Sequence, residues 1–417
     1  MEDVVVGISV PYGGSSVTVA VPDANLVGVF GPKRVAPADE DAVLARALRG
    51  PSGPLGLGEF LAAGSPVVVV NDHTRMTPTA KVLAHLGRAL EDRRPTFVVA
   101  TGSHRAPTED ELRWILGTWY DRHRARTFVH DARDDAAHAR VGVTERGTEV
   151  RLDRRVVEAE RLLVIGSVEP HYFAGFTGGR KALLPGVAAY CSVEQNHALA
   201  MSPGSRALAL AGNPVHEDMA EAAAMLADVP TFAVMTVLDH DNRIHAAAAG
   251  DLEASFEETA RVAADVNSVH VPHAADVVVA VASAPLDMDL YQSQKAVEHA
   301  RMALAEGGTL ILVSACDQGI GPPAFVEIIH AVRLGSDAGG GGAGGHMLGR
   351  HKAAGLIDLM RHADLWAVTR LPDEVIEGIG ARPFPSLQGA LDAALDRNPG
   401  ARVLFLMAAS TTVPVIG

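Results

Sequence analysis

The chain has 417 residues, 48% of them hydrophobic, and a formal net charge of −14. That length exceeds one ordinary core and makes two domains the expectation. The acidic balance, with only five Tyr and three Trp, disfavours a nucleic-acid partner.

Residues 3–10 and 15–21, separated by Pro11-Tyr12-Gly13-Gly14, read as a hairpin. Residues 38–50 read as a helix and 51–58 as a loop rich in Pro and Gly. Then strand and helix alternate. Strand 67–70 is followed by Asn71-Asp72-His73-Thr74-Arg75 and a helix over 79–90. Strand 96–100 is followed by Thr101-Gly102-Ser103-His104-Arg105, and Thr108 with Glu111 forms a capping box for the next helix. Strand 162–165 leads to Glu169 and His171. Strand 232–237 precedes Asp239-His240-Asp241, and residues 251–265 form an amphipathic helix.

A Pro- and His-containing connection over 268–275 reads as a domain boundary. The second half restarts with strand 277–281, then a polar stretch through Tyr291, Gln292 and Lys295, with a helix running to about Glu306. Strands 309–313 and 403–407 follow, and 339–345, GGGGAGG, is a low-complexity loop. The expected fold class is α/β: two α/β domains with largely parallel sheets and the active site in the cleft between them. The expected domains are 1–268, 272–405, and a tail, 406–417, returning to the N-terminal domain.

No apolar run reaches the length of a membrane span. The N-terminus, Met1-Glu2-Asp3, lacks the basic region of a secretory signal. Cys191 and Cys316 make no disulfide framework. A cytoplasmic protein is the expectation.

The polar residues sit where chemistry would need them. Asp72, Arg75, His104, His171, Gln292 and Lys295 lie at or beyond the carboxyl ends of predicted strands, where open α/β sheets bind ligands. His104 and His171 are candidate acid–base groups, because imidazole exchanges a proton near neutral pH. Arg75 and Lys295 are candidate anion anchors; ion pairs with Asp72 or Glu298 are the structural alternative.

The densest stretch is 161–201, which gathers Glu169, His171, Arg180, Lys181 and His197 among Gly175, Gly178, Gly179 and Gly186. It resembles a phosphate loop only in part. A Walker A motif needs a second glycine before its Lys and a Ser or Thr after it; Arg180 and Ala182 stand there. Lys181 could hold a phosphate or form a covalent link. His197 has no companion ligands at zinc-like spacing, so a metal there would need donors from elsewhere. Soft donors in a planar set would favour nickel or copper over zinc. His85, His123, His130, His138, His299, His346, His351 and His362 lack such context and read as surface residues.

Taken together, NDHTR at 71–75, ATGSHR at 100–105, EPHYFAGFTGGRKALLPG at 169–186, NHALAM at 196–201 and LYQSQKA at 290–296 resemble the nickel-dependent lactate racemase family, in order and over nearly the whole chain. The resemblance implies a racemase or epimerase of 2-hydroxy acids using a nickel-pincer nucleotide, a pyridinium mononucleotide whose two sulfur-containing arms hold nickel. It implies Lys181 as the covalent attachment point, His197 as the nickel ligand, and His104 and His171 as the acid–base pair. Arg75 and Lys295 would assist catalysis and, with Gln292, Tyr291 and Phe173, bind substrate. Asp72, Thr74, Gly178, Gly179 and Arg180 would contact the cofactor. The reaction implied is removal of the Cα hydrogen as hydride, giving a flat 2-keto acid, and its return to either face. Cofactor-maturation proteins, a small 2-hydroxy acid and a second copy of the chain are the implied partners. A chain made without the maturation proteins would lack the cofactor. Two other classes stay open: a phosphotransferase using residues 175–181, and a non-catalytic homologue that binds a carboxylate or nucleotide.

Overall fold

The computed structural model describes residues 4–62, 64–322, 324–333 and 350–417. The glycine run 339–345 and His346 lie outside the described residues, as does the side chain of His351. The chain divides into two compact units, Arg34–Val266, and Met1–Lys33 with Asn267–Gly417. Both are α/β with largely parallel sheets.

In Arg34–Val266 one six-stranded sheet runs in the order Ile244–Gly250, Thr231–Leu238, Leu162–Ser167, Val67–Asn71, Thr96–Ala100, Thr127–Val129. Neighbours are parallel except the first pair, which is antiparallel. The central strands are apolar without alternation because both of their faces are covered: Val67 to Val70 and Leu162 to Ile165 are all buried. Phe60, Phe97 and Phe232 fill one layer of this core with Leu83, Leu90 and Leu116. The helix Glu109–Leu116 starts at the expected capping box, with both the Thr108 and Glu111 arms formed.

The second unit has its own six-stranded parallel sheet, in the order Arg382–Pro383, Asp364–Val368, Leu304–Val313, Ala275–Val281, Val403–Leu406, Leu26–Phe30. The hairpin Val5–Tyr12/Ser15–Pro22 turns Ile8, Val10, Val19 and Val21 into a core with Val279, Ile311, Trp366 and Phe405. The outward residues of both strands are exposed or half-buried, so the alternation read in the sequence has a one-sided cause.

Several expectations need correction. The first thirty-three residues pack with the C-terminal half, because Leu26–Phe30 supplies the edge strand beside Val403–Leu406. The tail does not return to the N-terminal domain: Val413–Ile416 pairs in parallel with Ser268–Val271, within the second unit. A short helix, Leu57–Ala62, begins inside the expected loop. The helix after Asp289 already contains Tyr291 to Lys295 and ends at Ala300, since the strand Leu304–Val313 starts before Glu306. The antiparallel strand Ile244–Gly250 was not read from sequence, because its run of alanines lacks the β-branched residues that mark strands. His130, His138 and His299 are buried rather than superficial. Among the described residues no helix is long and apolar enough to cross a membrane.

Candidate active site

The strand Val67–Asn71 delivers Asp72 at its carboxyl end. The buried Asp72 carboxylate accepts from the Thr74 amide at 3.1 Å and from the Thr74 hydroxyl at 2.7 Å. His104 Nδ1 lies 2.7 Å from its other oxygen. Burial alone would raise the Asp72 pKa; the His104 charge and hydrogen bond, the Thr74 hydroxyl and Arg75 outweigh it and bring it to about 2. An ionised carboxylate only accepts, so His104 carries its proton on Nδ1, and Nε2 is left as the basic nitrogen.

His104 stands in the turn after Thr96–Ala100, where its own amide donates to Thr101 O. Gly102, at φ +55°, donates to Gly186 O at 2.9 Å. That bond ties the His104 loop to the Lys181 segment.

Arg75 pairs with Glu169 at 2.8 Å, both largely buried. The sequence alternatives for Arg75 did not include Glu169. Its position just past the strand Leu162–Ser167 was the available signal.

Pro170–His171 and Gly175–Phe176 form a two-residue antiparallel ribbon. At its turn the Ala174 amide donates to His171 Nδ1 at 3.3 Å. An imidazole that accepts at Nδ1 carries its proton on Nε2 when neutral. The two histidines therefore present opposite tautomers, one with a basic Nε2 and one with an Nε2–H.

The Phe173 ring gathers the rest. Its centroid is 4.5 Å from that of His171 and 5.0 Å from that of His197, and Lys181 Nζ lies 5.4 Å away over its face. The Lys181 pKa is held well below the ordinary lysine value, by burial first and then by Arg180 and Arg75, with Glu169 opposing. A lysine whose pKa is lowered is a readier nucleophile. His197 lies in the last turn of the helix Tyr190–Ala198. The preceding residue, Asn196, donates to fully buried Asp218 at 2.7 Å, and Asp218 also accepts from Thr144 at 2.5 Å and Thr148 at 2.8 Å. These three partners come from scattered positions with no motif, and sequence reading missed them.

Asp72, Thr74, Arg75, His104, His171, Phe173, Lys181 and His197 thus form one chain of contacts and charges within Arg34–Val266. Tyr291, Gln292 and Lys295 belong to the second unit, on the helix Leu290–Ala300, which Asp289 caps through the Gln292 amide at 2.6 Å. Gln292 and Lys295 are buried and share a helix face at i, i+3. Tyr291 packs edge-on against Phe325 and carries Lys352 Nζ 3.7 Å above its ring.

At two of its glycines the glycine-rich segment packs against the chain itself. A Cβ on Gly178 would meet Val168 at 2.6 Å, and one on Gly179 would meet the Phe256 ring at 2.7 Å. The Gly179 amide faces Met235 sulfur at 3.3 Å. These glycines are required by the chain's own packing. Arg180 likewise donates to Ala174 O and Gly178 O and stacks 4.2 Å over Phe256.

The residues at Phe173 fit the nickel-pincer nucleotide implied by the resemblance. Among the described residues the one group of three His, Cys or carboxylate donors close enough to hold a metal is Asp239, His240 and Asp241. It does not include His197, so a metal at His197 needs donors that a cofactor would bring. The amine of Lys181, with its pKa lowered beside the same ring, suits covalent attachment.

Arg34–Val266 thus brings together a carboxylate-oriented imidazole, a second imidazole of opposite tautomer, and an arginine and a lysine that are partly withdrawn from solvent. The chain belongs to the lactate racemase family. Residues 12–208 match the lactate racemase N-terminal domain and residues 270–337 the lactate racemase C-terminal domain. The lactate racemase of Thermoanaerobacterium thermosaccharolyticum is 32% identical over 333 residues, 76% of each chain. That of Lactiplantibacillus plantarum is 32% identical over 339 residues, 77% of each. The solved lactate racemase apoprotein from T. thermosaccharolyticum superimposes with a TM-score of 0.89, covering 98% of this chain and all of that one at 26% identity. A Thermotoga maritima protein shares the fold, with a TM-score of 0.71 at 17% identity over 91% of this chain and 99% of that one.

Proposed function

We propose that the protein interconverts the enantiomers of a short 2-hydroxy acid, as a racemase or epimerase. The observation that carries the reading is the pair of imidazoles held in opposite tautomers, His104 by Asp72 and His171 by the Ala174 amide. A reaction that runs in both directions needs one group ready to take the hydroxyl proton and another ready to give it back. His104 Nε2 takes the proton from one enantiomer, and His171 Nε2–H returns one to form the other; the roles exchange in reverse. Arg75 holds the substrate carboxylate and Glu169 keeps its guanidinium extended. Gln292 and Lys295 are assigned to substrate binding on the strength of the resemblance, with Tyr291 and Phe173 as apolar contacts that favour short acids. Lys181 and His197 would hold the nickel-pincer nucleotide, which supplies a two-electron acceptor for the Cα hydrogen. Asp72 and Thr74 act toward that group through His104.

The test is production of the chain with and without cofactor-maturation proteins, followed by intact mass, nickel analysis and chiral separation of D- and L-lactate, malate and longer 2-hydroxy acids. The expected result is a mass adduct on Lys181, about one nickel per chain, and racemisation of at least one acid. His104→Ala and His171→Ala should keep the adduct and lose turnover, by roughly 10²–10⁴-fold. Lys181→Ala should lose both. Full activity in all three variants would reject these roles.

A further inference from the structure

Within Arg34–Val266 a cavity of about 340 Å³ lies between the helices Pro214–Ala224 and Leu252–Asn267, lined by none of the residues gathered around Phe173. Its walls are apolar: Ala220, Ala223, Leu226, Val229 and Phe256. Arg180 lines it too, although that residue is only 4% exposed. Two of its donors go to the Ala174 and Gly178 carbonyls, but Nε has no partner, and among the described residues no carboxylate pairs with the guanidinium. His216, on the same wall, has a buried Nδ1 that is also unpartnered. A buried cation without a counter-charge is costly, and unsatisfied buried donors add to the cost. Burial lowers the Arg180 pKa to about 9, so the group is still charged at neutral pH. Burial and Arg180 hold His216 down to about 4, leaving it a neutral hydrogen-bonding ring.

We propose that this cavity is a second ligand site, for a small apolar monocarboxylic acid whose carboxylate meets Arg180 and His216 while its tail fills the alanine-lined wall. The volume falls in the range of small-ligand pockets, about 300–1,000 Å³. One negative charge is selected over several, because the exposed Asp251 and Glu253 also line the cavity and repel polyanions. The site is independent of the racemase reading.

Isothermal titration of the full chain, made without cofactor, with hexanoate and benzoate tests it, with hexanamide and inorganic phosphate as controls. One saturable site per chain is expected for the two acids, with neither control binding. Ala223→Trp, which fills the cavity, and Arg180→Met, which removes the charge, should each weaken the acids at least tenfold. Arg75→Ala should leave them unchanged, separating this site from the one at Phe173. If Arg180→Met does not fold, Ala223→Trp decides alone. Hexanamide binding as tightly as hexanoate, phosphate binding in its place, insensitivity to Ala223→Trp, loss in Arg75→Ala, or no saturable binding up to about 10 mM would each overturn it.

Discussion

Asp72 does two jobs that a measurement can separate. Its carboxylate sets the His104 tautomer, and its depressed pKa stores folding energy. Its folded value, about 2, lies below its ordinary 3.8. The stabilisation is therefore present above about pH 4 and lost as pH falls through about 2; integrated, it is about 2 kcal/mol. Asp72→Asn should flatten that part of the acid-stability curve, read by urea unfolding at pH 4 and pH 2. In loaded enzyme it should cut turnover at least tenfold, roughly the cost of losing an orienting partner. An unchanged difference in stability between the two pH values would deny the linkage. Asp72, His104 and His171 stood out in sequence because each follows an apolar strand, and Lys181 because it sits in a glycine-punctuated segment; all carry chemistry a core does not need. The close approach that glycines 178 and 179 announce includes Val168 and Phe256, which sequence spacing does not reveal.

At the scale of elements, the helix Tyr190–Ala198 owes its position to a buried carboxylate on another helix. Asp218 is accepted into the interior because three donors, from Thr144, Thr148 and Asn196, saturate it. Replacing it with leucine leaves those donors unsatisfied. Asp218→Leu should cost roughly 3 kcal/mol, at about 1–3 kcal/mol per stranded group, measured by urea unfolding. A change below about 0.5 kcal/mol, the size of an ordinary surface substitution, would show that the network does not hold the helix. By contrast, the start of Glu109–Leu116 was readable from four residues, since a capping box is local. The strand Ile244–Gly250 was not, because its alanines acquire strand geometry only from pairing with Thr231–Leu238.

Across the whole molecule, the largest departure from the sequence reading is the destination of the first thirty-three residues. They complete the second unit's sheet and cover Val279, Ile311 and Phe405 with the hairpin's inner face. Deleting residues 1–33 should strip the strand Val403–Leu406 of one of its two neighbours and that core of its lid. In hydrogen exchange, Ala275–Val281 and Val403–Leu406 should lose protection while Thr96–Ala100, in the other unit, keeps it. Equal protection in both sheets would place the N-terminus outside the folding unit.

The sequence by itself determined the α/β class, the buried central strands and the family, because hydrophobic period, caps and motif blocks after strands are local signals. Only the tertiary structure decided which tautomer each histidine adopts, that Arg75 meets Glu169, that the glycines serve packing, that Arg180 lines a separate cavity and that the N-terminal hairpin joins the C-terminal half. Each of these depends on which distant atom occupies a given space, and a linear pattern does not encode that.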